Sequence, residues 1–516
     1  MAQRILLGIE ILILTALVLA TRCANYPDVF VDGNIYFTDA DCYARMTRVR
    51  MCAEHPGLIV RHHDFENFPR GTTPHTTAPF DYLILSLSIL LKPITAQPID
   101  LAGAMVSPFL ALIGGWFLWW WAHRMKLSYR WVLLILYGLS PILVHGTKLG
   151  RPDHQSLLIL LVMIGVCVEW SSRTEQSRNW SLFGGIAWSL SLWVSCYEPL
   201  ILFAIVISIS LTKDRPLLLA PQRRIGWFVF AAIIATALLI ERRIPDFAIL
   251  QSNRLFQNWA RTIGELAHVS PWNRTWFAWA GYMIAIAPIL IWYSIRKRAA
   301  PPGFVLTLLV ATFLLTIWQA RWSYFFMVLF VIALPSLLAS IKSRAGVWIA
   351  FVLSTLPIVQ FWDAQIWPNE SELAGRIEHR NESIQLRELA IMIRSQETHA
   401  FLAPWWLSPS ISYWSGQPGV AGSSHEALDG IVESARFFVA TDFLGAREIL
   451  RNHPVDWVLA YDWERVADNS GHLLGVSLAD PSIGRILDHS PGRAPAFLVL
   501  SGQNQTAKLF RFVDKL

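Results

Sequence analysis

Charge is what this chain has least of. Only 16% of its 516 residues are Asp, Glu, Lys or Arg, while 54% are hydrophobic. Soluble domains carry about 25% charge, so a water-soluble globule is excluded and a bilayer-embedded chain is expected. Cysteine is sparse too. Cys23, Cys42, Cys52, Cys167 and Cys196 form no Cys-x-x-Cys pair and no zinc spacing. The first three share one loop, where a disulfide is one option. No internal repeat or low-complexity tract is evident. The net charge of +6 sits in short loops between apolar runs, so it marks membrane topology and no nucleic-acid partner is expected.

What the chain has in plenty is long apolar runs. A spanning helix needs roughly 20 such residues. Runs near that length fall at about 5–21, 101–122, 131–147, 156–171, 180–195, 198–211, 225–240, 276–295, 303–318, 322–340 and 346–362. The first reads as an uncleaved anchor. A twelfth run, about 80–92, is open between a span and an interfacial element. If it does not cross, basic clusters such as Arg124/Lys126/Arg130, Lys213/Arg215 and Arg296/Lys297/Arg298 all face the cytoplasm, as the positive-inside rule requires. The expected fold is a polytopic α-helical membrane protein of about 11–13 transmembrane helices, with a C-terminal soluble α/β domain on the outer side. Residues 1–362 form the transmembrane domain with outer loops 22–100 and 241–275; residues 363–516 form the extracytoplasmic domain. The N-terminus is expected in the cytoplasm and the protein in the inner or plasma membrane. In the last segment Ile384–Ser395 reads as helix, and Val455–Ala460, Ala496–Ser501 and Leu509–Val513 read as strands.

With that topology, three acidic motifs share the outer face: Asp39-Ala-Asp41-Cys-Tyr43, Asp153-His154-Gln155 and Thr262-Ile-Gly-Glu265. Each admits a plain reading. Asp39, Asp41 and Asp153 suit helix N-termini, where the macrodipole stabilises an acid, and a loop glutamate is commonly just solvated. Together they are a set of oxygen donors from three outer segments, which is what Mg²⁺ or Mn²⁺ requires. Elsewhere, Glu10, Glu169 and Glu198 lie near the ends of spans, where contact with water is expected to make them tolerable. Arg321, at an outer mouth between two spans, is either an interfacial arginine or a fork for phosphate oxygens. Trp405-Trp406 is either packing or a recognition surface. His62, His63 and His75 line a groove or belong to a wet loop.

In order and topology these motifs resemble the catalytic subunit of oligosaccharyltransferase in its single-subunit bacterial and archaeal forms, within the C-type glycosyltransferase superfamily. The resemblance runs along essentially the whole chain. It implies that Asp41, Asp153 and Glu265 are catalytic, and that Asp41, Asp153, His154 and Glu265 hold Mn²⁺ or Mg²⁺. It implies that Arg321 binds donor phosphate, and that Thr262, Glu265, Trp405 and Trp406 meet the acceptor. One departure stands out. The family follows its two tryptophans with Asp-Tyr-Gly to read an acceptor Asn-x-Ser/Thr sequon; here Leu407-Ser408-Pro409 follows.

The implied activity is metal-dependent, inverting transfer of a sugar or oligosaccharide from a polyprenyl-(pyro)phosphate donor to a protein, peptide or lipid acceptor, most readily as protein glycosylation. The alternative is a related transferase moving one sugar to lipid A, a cell-wall polymer or Ser/Thr. A transporter or flippase is a third reading, against which stands the lack of visible inverted repeats.

Overall fold

The computed structural model describes residues 2–243, 253–476 and 481–514. Residues 244–252 of the expected 241–275 loop lie outside them. The chain divides into two compact units: one from 1–29, 87–244 and 268–370, the other from 30–86, 245–267 and 371–516. Segments 30–86 and 245–267 therefore belong with the C-terminal region.

The first unit is helical, and the protein is a multi-pass membrane protein. Among the described residues six helices are long and apolar enough to cross a bilayer: Ile5–Arg22, Pro98–Arg124, Gln155–Glu175, Pro221–Glu241, Ala320–Ala339 and Arg344–Ile366. The other five expected runs form shorter helices, two of the runs being split in two, from Pro141–His145 at 5 residues to Arg178–Val194 and Tyr197–Lys213 at 17. The ambiguous run is a single helix of 14 residues, Ala78–Leu91. Burial sorts the long helices. Within their apolar stretches, 89% of Gln155–Glu175 and of Ala320–Ala339 is enclosed by protein, against 17% of Pro221–Glu241. The latter exposes Phe228 and Leu239, a surface suited to lipid tails and costly in water.

Two local devices shape this unit. Helix Arg130–Leu139 stops where Pro141 follows Ser140, because proline disfavours helical backbone before it and has no N–H for the Tyr137 carbonyl. The fully buried Arg22 supplies what is missing: its Nη2 donates to Tyr137 O at 2.8 Å, and its Nη1 donates to Gly138 O. Elsewhere Gly185 and Gly226 let two helices touch at backbone distance. A Cβ on Gly226 would lie 2.3 Å from Ser181 O, and one on Gly185 2.3 Å from Gly226 O, the small-residue packing common between membrane helices.

The three acids expected to face water are buried, each paired instead with arginine. Glu10 meets Arg130 at 2.7 Å, Glu169 meets Arg223 at 2.6 Å and Arg173 at 3.0 Å, and Glu198 meets Arg321 at 2.6 Å. Where water is excluded, the charge survives by pairing.

The second unit carries a four-stranded sheet in the order Ala400–Leu402, Val455–Tyr461, Ala507–Phe512, Leu498–Gln503. The first pair is parallel and the others antiparallel. The short strand Ala400–Leu402 was not anticipated, since three residues give no alternation to read. The expected helix at 384–395 is longer, Glu370–Met392. All five cysteines are thiols. Cys42 and Cys52 share the helix Ala40–Glu54, ten residues or about 15 Å apart, so no bridge joins them.

Candidate functional site

In the first unit the acidic motif after the helical hairpin folds into a tight turn. Arg151, Pro152 and Asp153 lead into helix Gln155–Glu175, and Asp153 Oδ1 accepts from Gln155 N at 3.3 Å. Its carboxylate also meets Arg151 Nη2 at 3.2 Å and His154 Nδ1 at 2.8 Å. Arg151 in turn contacts His145 Nε2 at 3.3 Å, whose Nδ1 meets the Tyr324 hydroxyl at 2.9 Å. Gln155 reaches across and donates to Glu198 Oε1 at 3.3 Å, and Glu198 holds Arg321. Arg321 itself stands over the Tyr197 ring, 5.5 Å from its centroid. The structure thus joins Asp153, His154 and Arg321, distant in sequence, through one polar chain. Its middle members, Gln155 and Glu198, are fully buried.

Sequence reasoning missed Glu198, and it also missed Arg151, His145 and Tyr324. The available signal was a carboxylate at the start of the apolar run Tyr197–Lys213, opposite an arginine in another hydrophobic stretch.

In the second unit the two first-loop aspartates separate. Asp39 is the N-cap of helix Ala40–Glu54, its Oδ1 accepting from Cys42 N at 3.0 Å. Asp41 lies in the first turn and is exposed. The plain reading therefore holds for Asp39. The helix is anchored by its other faces. Arg45 bonds Asp81 at 2.8 Å, both buried, and Tyr43 packs against Tyr413 and Trp414 at 5.5 and 5.1 Å. Burial holds the Arg48 guanidinium below its usual pKa, with Arg45 adding to the effect. Of the loop histidines, His63 neither lines a groove nor meets water: it is buried, stacked on Phe65 at 3.8 Å.

Ile263 of the Thr-Ile-x-Glu motif and Trp405 of the tryptophan pair pack on one apolar core. Helix Arg254–Thr262 buries Trp259 against Ala421, Ile431, Val432, Ala435 and Leu473. Ile263, Leu266 and Trp405 pack on the same cluster. Glu265 follows in the turn Gly264–Leu266, partly exposed. Trp405 and Trp406 are nearly perpendicular, 5.7 Å apart, and Trp406 lies 6.4 Å from Tyr461. Leu407, where the family pattern has aspartate, is buried.

Tyr461 donates to Glu382 on helix Glu370–Met392, and Arg465 reaches the same carboxylate at 3.2 Å. Burial raises the Glu382 carboxyl, but hydrogen bonds from His379 and Tyr461 and the charge of Arg465 outweigh it, so its pKa lies below the ordinary glutamate value. A depressed pKa contributes stability that is present above the unfolded value of about 4.3 and lost as pH falls through the folded one. Glu382→Gln is therefore expected to flatten the acid limb of a melting-temperature profile below about pH 4.3, leaving the neutral region less stable. An unchanged acid limb would remove Glu382 as its source.

No protein-family model matches the sequence, and no curated protein matches it. Among solved structures, an oligosaccharyltransferase of Archaeoglobus fulgidus tethered to an acceptor peptide containing an NVT sequon superposes with a TM-score of 0.67 at 12% identity, over 87% of this chain and 68% of that one. The fold is shared with that enzyme. A structure of AglB from the same organism with an inhibitory peptide and a dolichol-phosphate gives 0.62 at 15% identity, over 87% and 69%. ArnT from Cupriavidus metallidurans bound to undecaprenyl phosphate gives 0.55 at 14%, over 100% of this chain and 98% of that one. At these identities the likeness is one of architecture.

Proposed function

We propose that this protein is a membrane glycosyltransferase that moves a sugar or oligosaccharide from a polyprenyl-(pyro)phosphate donor to an acceptor, in the manner of an oligosaccharyltransferase. The observation that carries the proposal is the meeting of Ile263, inside the Thr262–Glu265 motif, with Trp405 on one core in a chain with this fold. It is supported by neighbours crystallised with an acceptor peptide, a dolichol-phosphate, an undecaprenyl phosphate and, in another structure of the Archaeoglobus enzyme, zinc and sulfate.

In this reading Asp41, Asp153, Glu265 and His154 would hold a divalent cation, Mn²⁺ or Mg²⁺. The three carboxylates supply the oxygen ligands such an ion prefers. When bound, it supplies positive charge to the leaving phosphate. Arg321, kept in place by Glu198 and the Tyr197 ring, takes donor phosphate oxygens. Thr262, Glu265, Trp405 and Trp406 receive the acceptor, whose nucleophile is engaged by Asp41. The nucleophile attacks the anomeric carbon, its proton passing to the Asp41 carboxylate, as the carbon–oxygen bond to phosphate breaks and the phosphate leaves with the electron pair, inverting the centre. The site faces the extracytoplasmic side.

A second reading, transfer of a single sugar to a lipid or other non-sequon acceptor, is favoured by Leu407, which cannot accept a hydrogen bond from a sequon hydroxyl, and by the near end-to-end match to ArnT. Incubating purified protein and Mn²⁺ with lipid-linked oligosaccharide, and in parallel polyprenyl-phosphate monosaccharide, against sequon peptides, Ser/Thr peptides and lipid acceptors separates them. Chelator-sensitive transfer to the sequon peptide is the expected result. Transfer only to a lipid selects the second reading. A donor left intact with every acceptor overturns both.

A further inference from the structure

Three side chains outside that carboxylate set come together in the second unit. His75 lies on the first long loop, and His425 and Glu426 lie in the turn ahead of helix Leu428–Val439. Taking one ligand atom from each, these atoms lie within 4.8 Å of one another. His75 Nδ1 is 2.6 Å from Glu426 Oε1, His425 Nδ1 is 3.4 Å from Glu426 Oε2, and the two imidazoles are 5.3 Å apart.

The Glu426 side chain is nine-tenths buried, and its Oε2 is buried with no hydrogen bond among the described residues. A buried carboxylate oxygen met by an imidazole nitrogen at 3.4 Å but by no hydrogen bond is better held by a cation placed between the two. Phe256 and Trp259 pack around His425 at 6.4 and 6.5 Å, fixing its ring in apolar surroundings. The comparison with Glu464, Asp488 and His489, another trio at similar spacing, is instructive. There Asp488 is committed to Lys508 at 2.6 Å and Trp463 N at 2.9 Å, and Glu464 is exposed, as in an ordinary surface ion-pair cluster.

We propose that His75, His425 and Glu426 form a binding site for a divalent cation of the zinc class, separate in its residues from Asp41, Asp153, His154 and Glu265. Two imidazoles and a carboxylate are a donor set that Zn²⁺ takes at about 2.0–2.2 Å, whereas Mg²⁺ prefers oxygen alone. The ligands must close slightly around the ion, and three protein ligands leave a fourth position for water. Because Trp259 belongs to the helix that ends at Thr262, an ion on His425 ties the first loop to the 425–426 turn and steadies the segment leading to Glu265. The site stands whether or not the transferase reading holds.

The test uses full-length protein in detergent, stripped by chelator and carrying Asp41→Asn and Asp153→Asn so that the carboxylate set does not compete. Titration with Co²⁺ is expected to show one equivalent bound, with visible absorption that Zn²⁺ displaces, and Zn²⁺ is expected to raise the melting temperature. His75→Ala, His425→Ala and the shape-conserving Glu426→Gln should each weaken binding by roughly tenfold to a hundredfold or more. Folded Glu426→Gln protein, checked by its elution profile, separates ligand loss from misfolding of the alanine variants. Absence of the cobalt spectrum in the Asp41→Asn/Asp153→Asn protein overturns the site. Unchanged affinity in the Glu426→Gln and histidine variants does the same.

Discussion

Asp41→Asn is expected to lower sugar transfer by roughly a hundred- to a thousandfold while leaving the melting temperature nearly unchanged. The loss is of the size seen when one preorganised charge-stabilising group is removed from a transition state. The stability half of the expectation comes from position. Asp41 is exposed in the first helical turn, where loss of an acid beside the macrodipole costs about 0.3–1 kcal/mol. Its neighbour supplies the control. Asp39 caps the same helix through Cys42 N, so Asp39→Ala should cost about 1 kcal/mol of stability with a far smaller effect on turnover. Measuring rate and melting temperature for both variants separates cap from catalyst. Equal activity losses, or an active Asp41→Asn protein, would remove Asp41 from the reaction.

Arg321→Ala should be the most destabilising substitution at the candidate site. It leaves the fully buried Glu198 carboxylate without its cation, and breaking a buried pair from one side costs about 3–5 kcal/mol. That corresponds to a fall in melting temperature of roughly 5–10 °C. The double variant Arg321→Ala/Glu198→Gln should recover part of this loss, because the orphaned charge is gone, yet remain unable to use donor. Lysine at 321 restores charge without the planar fork, so its donor KM should stay raised. A stable, active Arg321→Ala protein would show that the pair is neither structural nor phosphate-binding.

The membrane architecture was legible because a bilayer writes its thickness into apolar run length, and six runs became helices of that length. The remaining runs were cut short by local chemistry. Pro141 ends one helix, and another break falls at Gly281, whose φ of +70° and close approach to Ser354 O suit glycine alone. The strand near 455–460 was legible from its apolar β-branched run, while Ala400–Leu402 exists only through its partner strand.

Of the candidate site, the motif positions could be found but not their surroundings. Asp39 and Asp41 read alike as letters, and only the capping bond tells them apart. The burial of Glu198 was signalled only by a carboxylate within an apolar run, because the arginine that holds it comes from a distant segment. The grouping of 30–86 and 245–267 with the C-terminal region was equally hidden, since it is made by packing between segments far apart in sequence, as where Trp259 meets Ile431.

Arg22 carries an implication for how the chain is made. The carbonyl it satisfies, Tyr137 O, lies 115 residues downstream, so the ribosome has yet to produce it when the first helix enters the bilayer. Until then the cation must stay among headgroups and water, as long basic side chains at helix ends do. The first helix is therefore expected to settle to its final depth only after residues 130–145 arrive. On that expectation one arginine and one proline set an order for membrane insertion.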